Sequence, residues 1–130
     1  MIRLNETIEE LDDVSLFADF LFKTKAKNLL EKKGPYTIFL PTNEATKITL
    51  SFLRSLELDA LQEVVMSHIV IGFYRLNDLK KIDEVENIRN SHLLISYNEH
   101  IYIGGVAITD GDFISENGIC HFINAVMIPS

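Results

Sequence analysis

Residues 112–123 read Asp-Phe-Ile-Ser-Glu-Asn-Gly-Ile-Cys-His-Phe-Ile, and the fold turns on how they are read. Asn117-Gly118 between two apolar runs is a hairpin signal, because both residue types tolerate the positive φ of a tight turn. The flanking runs, Phe113-Ile114-Ser115 and Ile119 to Ile123, are then paired strands. Side chains alternate along a strand, so Ile119, His121 and Ile123 share one face while Cys120 and Phe122 share the other. The last strand is expected to continue to Ile128, before Pro129.

Working back from this hairpin, Val85–Ile88, Leu93–Tyr97, Ile101–Ile103 and Val106–Ile108 read as further short strands, with Asn98-Glu99 as a second turn. Upstream the period becomes helical. Leu4, Ile8 and Leu11 fall on one helix face, and the capping-box form Thr7-Ile8-Glu9-Glu10 predicts a helix start at Thr7. Ser15 opens a segment whose Leu16, Phe17, Phe20 and Leu21 make an apolar stripe. Residues 25–33 form a short basic helix with Leu29 and Leu30 inward, stopped by Gly34-Pro35. Tyr36 to Leu40 is a strand between Pro35 and Pro41, and Thr42 or Asn43 caps the helical turn that follows. Leu58, Leu61, Val65 and His68 mark a helix over 57–68, which leads into the β-branched Ile69-Val70-Ile71. Repeats, low-complexity tracts and linkers are absent, so residues 1–130 read as one domain, helices first and sheet later: α+β, or mainly β with helices.

Composition narrows the function classes. The 130 residues carry 19 acidic and 12 basic side chains, a net charge of −7. That balance argues against nucleic acid as a partner, since phosphate binding needs clustered positive charge. No apolar run approaches the roughly 18 residues that membrane insertion needs, so none is expected. The lone Cys120 cannot close an internal disulfide. Glu9, Glu10, Asp12 and Asp13 interrupt the N-terminal stretch where a secretory signal would lie, so on its face the chain is expected to be cytoplasmic.

Three ordered segments resemble the fasciclin-domain family. Tyr36-Thr37-Ile38-Phe39-Leu40-Pro41-Thr42-Asn43-Glu44-Ala45 is similar to the family's first signature. Ser67-His68-Ile69-Val70 resembles its central Tyr-His segment, and residues 112–124 resemble the second signature, in which an Asp precedes Asn-Gly and a buried His. The closing Val126-Met127-Ile128-Pro129 fits as well. The resemblance spans essentially the whole chain. It implies a wedge-shaped β-sandwich or barrel of about seven strands, with several helices packed at one end. It also implies adhesion or protein contact, with no catalytic residue and no cofactor. Thr37, Pro41, Thr42, Asn43, His68, Asn117, Gly118 and His121 are the positions that carry the signature. In some animal members integrin binding is attributed to the Tyr-His segment and to an Asp-Ile pair. Here those positions read Ser67-His68 and Asp112-Phe113, so the acid is kept and the tyrosine is not. Since members of the family are mostly exported, the resemblance makes a secreted, periplasmic or surface location the alternative to the cytoplasm.

Each polar residue has a structural and a functional reading. His68 and His121 lie on apolar faces, where a neutral imidazole bonded to backbone is the commoner state and ligand or metal contact the rarer one. Cys120 has no activating partner in the sequence and reads as a small hydrophobe. His92 and His100 fall in polar loops, and the four histidines lack zinc-site spacing. Asp112 either satisfies loop backbone or presents a carboxylate to a partner, with Phe113 and His68 as its companions in contact. Asp110 and Asp112 lack the later ligands of a calcium loop, and Gly72 and Gly104-Gly105 lack the context of a phosphate loop. Lys23, Lys25, Lys27, Lys32 and Lys33 form either a solvated helix face or a surface for an acidic protein or polysaccharide. The expected function is a non-enzymatic, monomeric interaction module for a protein or carbohydrate partner. A small ligand carrier or enzyme on the same scaffold, and a self-associating matrix unit, are the alternatives.

Overall fold

The computed structural model describes residues 1–129. Helices α1 (Leu4–Glu9), α2 (Ser15–Leu21) and α3 (Ala26–Leu29) precede strand β1 (Tyr36–Pro41). Helices α4 (Asn43–Ile48), α5 (Leu50–Ser55) and α6 (Leu58–Met66) lead to β2 (Ile69–Ile71) and α7 (Leu76–Leu79). Five strands complete the order: β3 (Glu84–Glu86), β4 (His92–Asn98), β5 (His100–Ile103), β6 (Val106–Ser115) and β7 (Gly118–Ile123). All seven strands form one mixed sheet in the order β2-β1-β7-β6-β5-β4-β3. This is the α+β, seven-stranded architecture expected above.

Pairing of the first strand with the last organises the sheet. β1 and β7 run parallel, with Tyr36 opposite Gly118 and Pro41 opposite Ile123, while the other neighbours are antiparallel. Both strands are buried on both faces, and their buried polar side chains, Thr37 and His121, are bonded to backbone. On one face Ile38, Leu40, Cys120 and Phe122 pack against the helices through Leu4, Ile8, Phe17, Leu21 and Val65. On the other, Phe39 and Ile123 meet Val85, Ile95, Ile103 and Ile108 from the remaining strands. The sheet curls until its two edges touch: Val70 bridges Asn87, and the Ile88 N–H donates to the Ile69 carbonyl at 2.9 Å. The expected sandwich or barrel is thus a single curled sheet.

Four local expectations are corrected. The first helix starts at Leu4; Thr7 lies inside it, and its hydroxyl bonds to the Ser115 hydroxyl instead of capping. Leu58 is exposed, and Val64 takes its place on the buried face of α6. The final strand stops at Ile123, short of Ile128. The hairpin forms, but Ser115 pairs with Gly118, so Glu116 and Asn117 are its central residues.

Gly118 is therefore required by space and not by φ. A Cβ there would stand 2.5 Å from Leu4 Cδ1 and closer still to the Tyr36 carbonyl oxygen. Gly118→Ala is expected to push β7 off β1 and to cost about 2–3 kcal/mol of unfolding free energy, measured by urea titration. A midpoint equal to wild type would refute the close approach.

Candidate functional site

Both buried histidines work as backbone clamps. His68 follows α6 and is fully buried, its ring against Phe17 at 4.8 Å. The Met127 N–H donates to Nε2 at 2.9 Å, so Nε2 is the acceptor and Nδ1–H donates to the Val64 carbonyl at 2.7 Å. Burial lowers its pKa from 6.5 to about 4, against the weaker upward pull of the Val64 carbonyl. The expectation that His68 touches a partner is corrected: no part of it reaches the surface.

His121, on β7, has the opposite tautomer. Nδ1 accepts the Asp112 N–H at 3.1 Å, and Nε2–H donates to the Tyr74 carbonyl at 2.7 Å. Burial lowers its pKa too, while the Tyr74 carbonyl and the Asp112 charge pull weakly upward. Neither ring nitrogen of either histidine remains for a metal, a proton transfer or a ligand. Cys120 is buried on the helix side, away from His121, and burial pushes its thiol pKa up. No group of three or more His, Cys, Asp or Glu side chains placed to hold a metal ion occurs among the described residues.

The remaining signature residues bind chain to chain. Thr37 Oγ1 donates to the Gly72 carbonyl at 2.8 Å and accepts the Tyr74 N–H at 3.0 Å. Thr42 caps α4 by accepting the Ala45 N–H, whereas Asn43 serves a different helix. Its Oδ1 accepts the Leu16 N–H of α2 at 2.9 Å, and its amide donates to the Asp12 carbonyl and the Ser15 hydroxyl. Pro41 closes β1 opposite Ile123. Asn117 is buried in the β6–β7 turn, where it ties three distant backbone groups.

Asn87, which the sequence reading passed over, belongs to this set. Its Oδ1 accepts the N–H groups of Arg89 and Ser91 at 2.9 and 3.0 Å, and Nδ2 donates to the Ser67 carbonyl. The only cue was an Asn opening a polar loop, the usual seat of an Asx turn.

The surface residues stand apart from these clamps. Asp112 is exposed at φ +61°, a region that Asp tolerates better than most residues. Its Oδ1 accepts the Leu76 N–H at 2.9 Å and so anchors the start of α7. Phe113 is half-buried and stacks on Phe122 at 4.6 Å. Of the lysine run, Lys23 lies over the Phe20 ring, and Lys25, Lys27, Lys32 and Lys33 are exposed. The surface hollows are shallow; the largest among those described, about 400 Å³, is lined by residues including Asp13, Thr42, Asn43 and Phe122.

Comparison with known proteins agrees with this geometry. A profile of the Fasciclin domain matches residues 12–129. The chain is 26% identical over 118 residues to uncharacterized protein sll1735 of Synechocystis sp., a match covering 86% of this chain and 89% of that one. It is 25% identical over 125 residues to stabilin-2 of Mus musculus and 23% identical over 137 residues to human periostin. Those matches cover 92% and 98% of this chain but span only 5% and 16% of the longer relatives. A FAS1 domain pair from the insect cell adhesion molecule fasciclin I superimposes with a TM-score of 0.83 at 16% identity. That likeness covers 98% of this chain and 51% of the pair.

Proposed function

Because the chain belongs to the fasciclin domain family, we propose that it is a non-enzymatic adhesion or interaction module, recognising a protein or a cell-surface or matrix carbohydrate with its exterior. One observation carries the reading: the groups best suited to chemistry, His68, His121 and Cys120, are buried, and both imidazoles are fully engaged by backbone. Chemistry carried by any of these three would need that residue open to solvent beside an acid or base. The structural likeness to part of a cell adhesion molecule supports the same reading, and with it a location outside the cytoplasm. Fractionation of the source cells tests the location, and recovery in the cytosol alone would refute it.

Two faces are offered for contact: Asp112 with Phe113, and the lysines of residues 23–33. In pull-downs from surface extracts and on glycan arrays, we expect the wild-type chain to retain a defined partner. Either Asp112→Asn, which keeps the hydrogen bond to Leu76 and removes the charge, or Lys23→Glu/Lys25→Glu/Lys27→Glu is expected to weaken that partner about tenfold or more. An unchanged partner profile in both variants would rule out both faces.

Self-association is a second reading with its own support. Ile48 and Phe52 are 83% and 46% exposed on neighbouring helices, and Leu58 is exposed nearby in sequence. A sedimentation coefficient independent of concentration would dismiss it.

A further inference from the structure

Two hollows, of about 320 and 400 Å³, share Asp13 and Phe122 and form one continuous groove. Leu11, Phe113 and Phe122 supply its apolar part, with the two rings stacked. Glu10, Asp12, Asp13, Glu44 and Asp110 line it, and no lysine or arginine does. None of these carboxylates is in an ion pair: the two pairs among the described residues, Arg89–Glu63 and His92–Glu84, lie elsewhere.

Local helix electrostatics explain part of this set. Asp12 and Asp13 begin the 3-10 turn before α2, and Glu44 lies in the first turn of α4, where backbone N–H groups favour an acid. Glu10 is the opposite case. It caps the C-terminus of α1, where a negative charge opposes the helix dipole. Asp110 is on a strand, where no helix end favours its charge. Both line the same hollow as the partly exposed Phe113. Five like charges around a low-dielectric floor focus a negative potential into the groove, which adds up to attraction for positive charge.

We propose that this groove receives an extended segment of a partner protein that carries lysines or arginines around one apolar side chain, the apolar group resting on the partly exposed Leu11 and Phe113, with the buried Phe122 behind them. This rests on the interaction-module reading above and narrows its partner. Charge complementarity selects the occupant. An anionic polysaccharide would be repelled, and a neutral sugar would leave the charges of Glu10 and Asp110, which no helix end favours, without a counterpart.

The probe is a fluorescein-labelled hexapeptide, Lys-Lys-Phe-Lys-Lys-Lys, followed by fluorescence anisotropy beside the same peptide with Glu for every Lys. The wild-type chain should bind the lysine peptide only, and should release it as salt rises. Asp12→Asn/Asp13→Asn/Asp110→Asn should weaken binding about tenfold or more, while the chain still unfolds cooperatively with only the small loss of melting temperature that two helix-end charges account for. Glu84→Gln/Glu86→Gln/Glu99→Gln removes the same number of charges outside the groove and should leave affinity within about twofold. Equal losses in the two triple variants would mean attraction to net charge alone and would overturn the proposal. So would oligomers of the wild-type chain that the groove variant abolishes, since the occupant would then be the lysine run of a second copy. If pull-down partners respond to Asp112→Asn while the peptide ignores the groove variant, the groove fails and the interaction-module reading stands.

Discussion

Asn117→Ala is expected to lower the free energy of unfolding by about 3–5 kcal/mol, the largest effect of any single truncation in this chain. The side chain is buried. Its Oδ1 accepts the Leu4 N–H at 2.8 Å, and its Nδ2 donates to the Leu30 carbonyl at 2.8 Å and the Lys32 carbonyl at 2.6 Å. Removing it strands three backbone groups at once, each costing about 1–3 kcal/mol when buried, with partial relaxation at the exposed Lys32 end. Asn117→Asp should fare no better, because a carboxylate keeps the bond to Leu4 but faces two carbonyl oxygens it cannot donate to. Urea titration of both variants is the measurement, and a loss below about 1 kcal/mol in both would refute the tie.

His68→Ala is expected to cost about 3–4 kcal/mol. It empties a ring-sized space against Phe17 and leaves the Val64 carbonyl and the Met127 N–H without partners. The same histidine makes stability depend on pH. Above pH 6.5 folded and unfolded chains both hold it neutral, and this contribution is complete. As pH falls from 6.5 toward 4 the unfolded chain takes up a proton that the native ring refuses. Stability is therefore lost across that window at about 1.4 kcal/mol per pH unit, and the loss levels off below about 4. His121 acts in the same direction. Urea midpoints at pH 7.5 and 4.5 test this in the wild type, and His68→Ala should flatten the slope. An equal slope in the variant would deny His68 any part in it.

These two residues also show what a sequence reveals. That His121 and Cys120 point to opposite faces follows from the two-residue strand period alone, and the structure has them so. The hairpin at residues 115–118 was legible because turn chemistry is local. The work of Asn117 was not, since its partners lie 85 to 113 residues away in the chain. Asn43 repeats the lesson. Its neighbours suggest a cap for the helix it begins, yet it caps α2, 27 residues earlier. Thr7 fits a capping box in sequence, but its hydroxyl faces Ser115, and that contact prevails over the local pattern. The groove was hidden for the same reason: its acids come from three separate segments, and only the folded chain brings them together.

The parallel pairing of β1 with β7 has a consequence for how the protein is made. On a ribosome, Tyr36–Pro41 emerges long before Gly118–Ile123, and until then one edge of a mainly apolar strand has nothing to pair with. The nascent chain is in that interval a substrate for chaperones and for its own neighbours on the polysome.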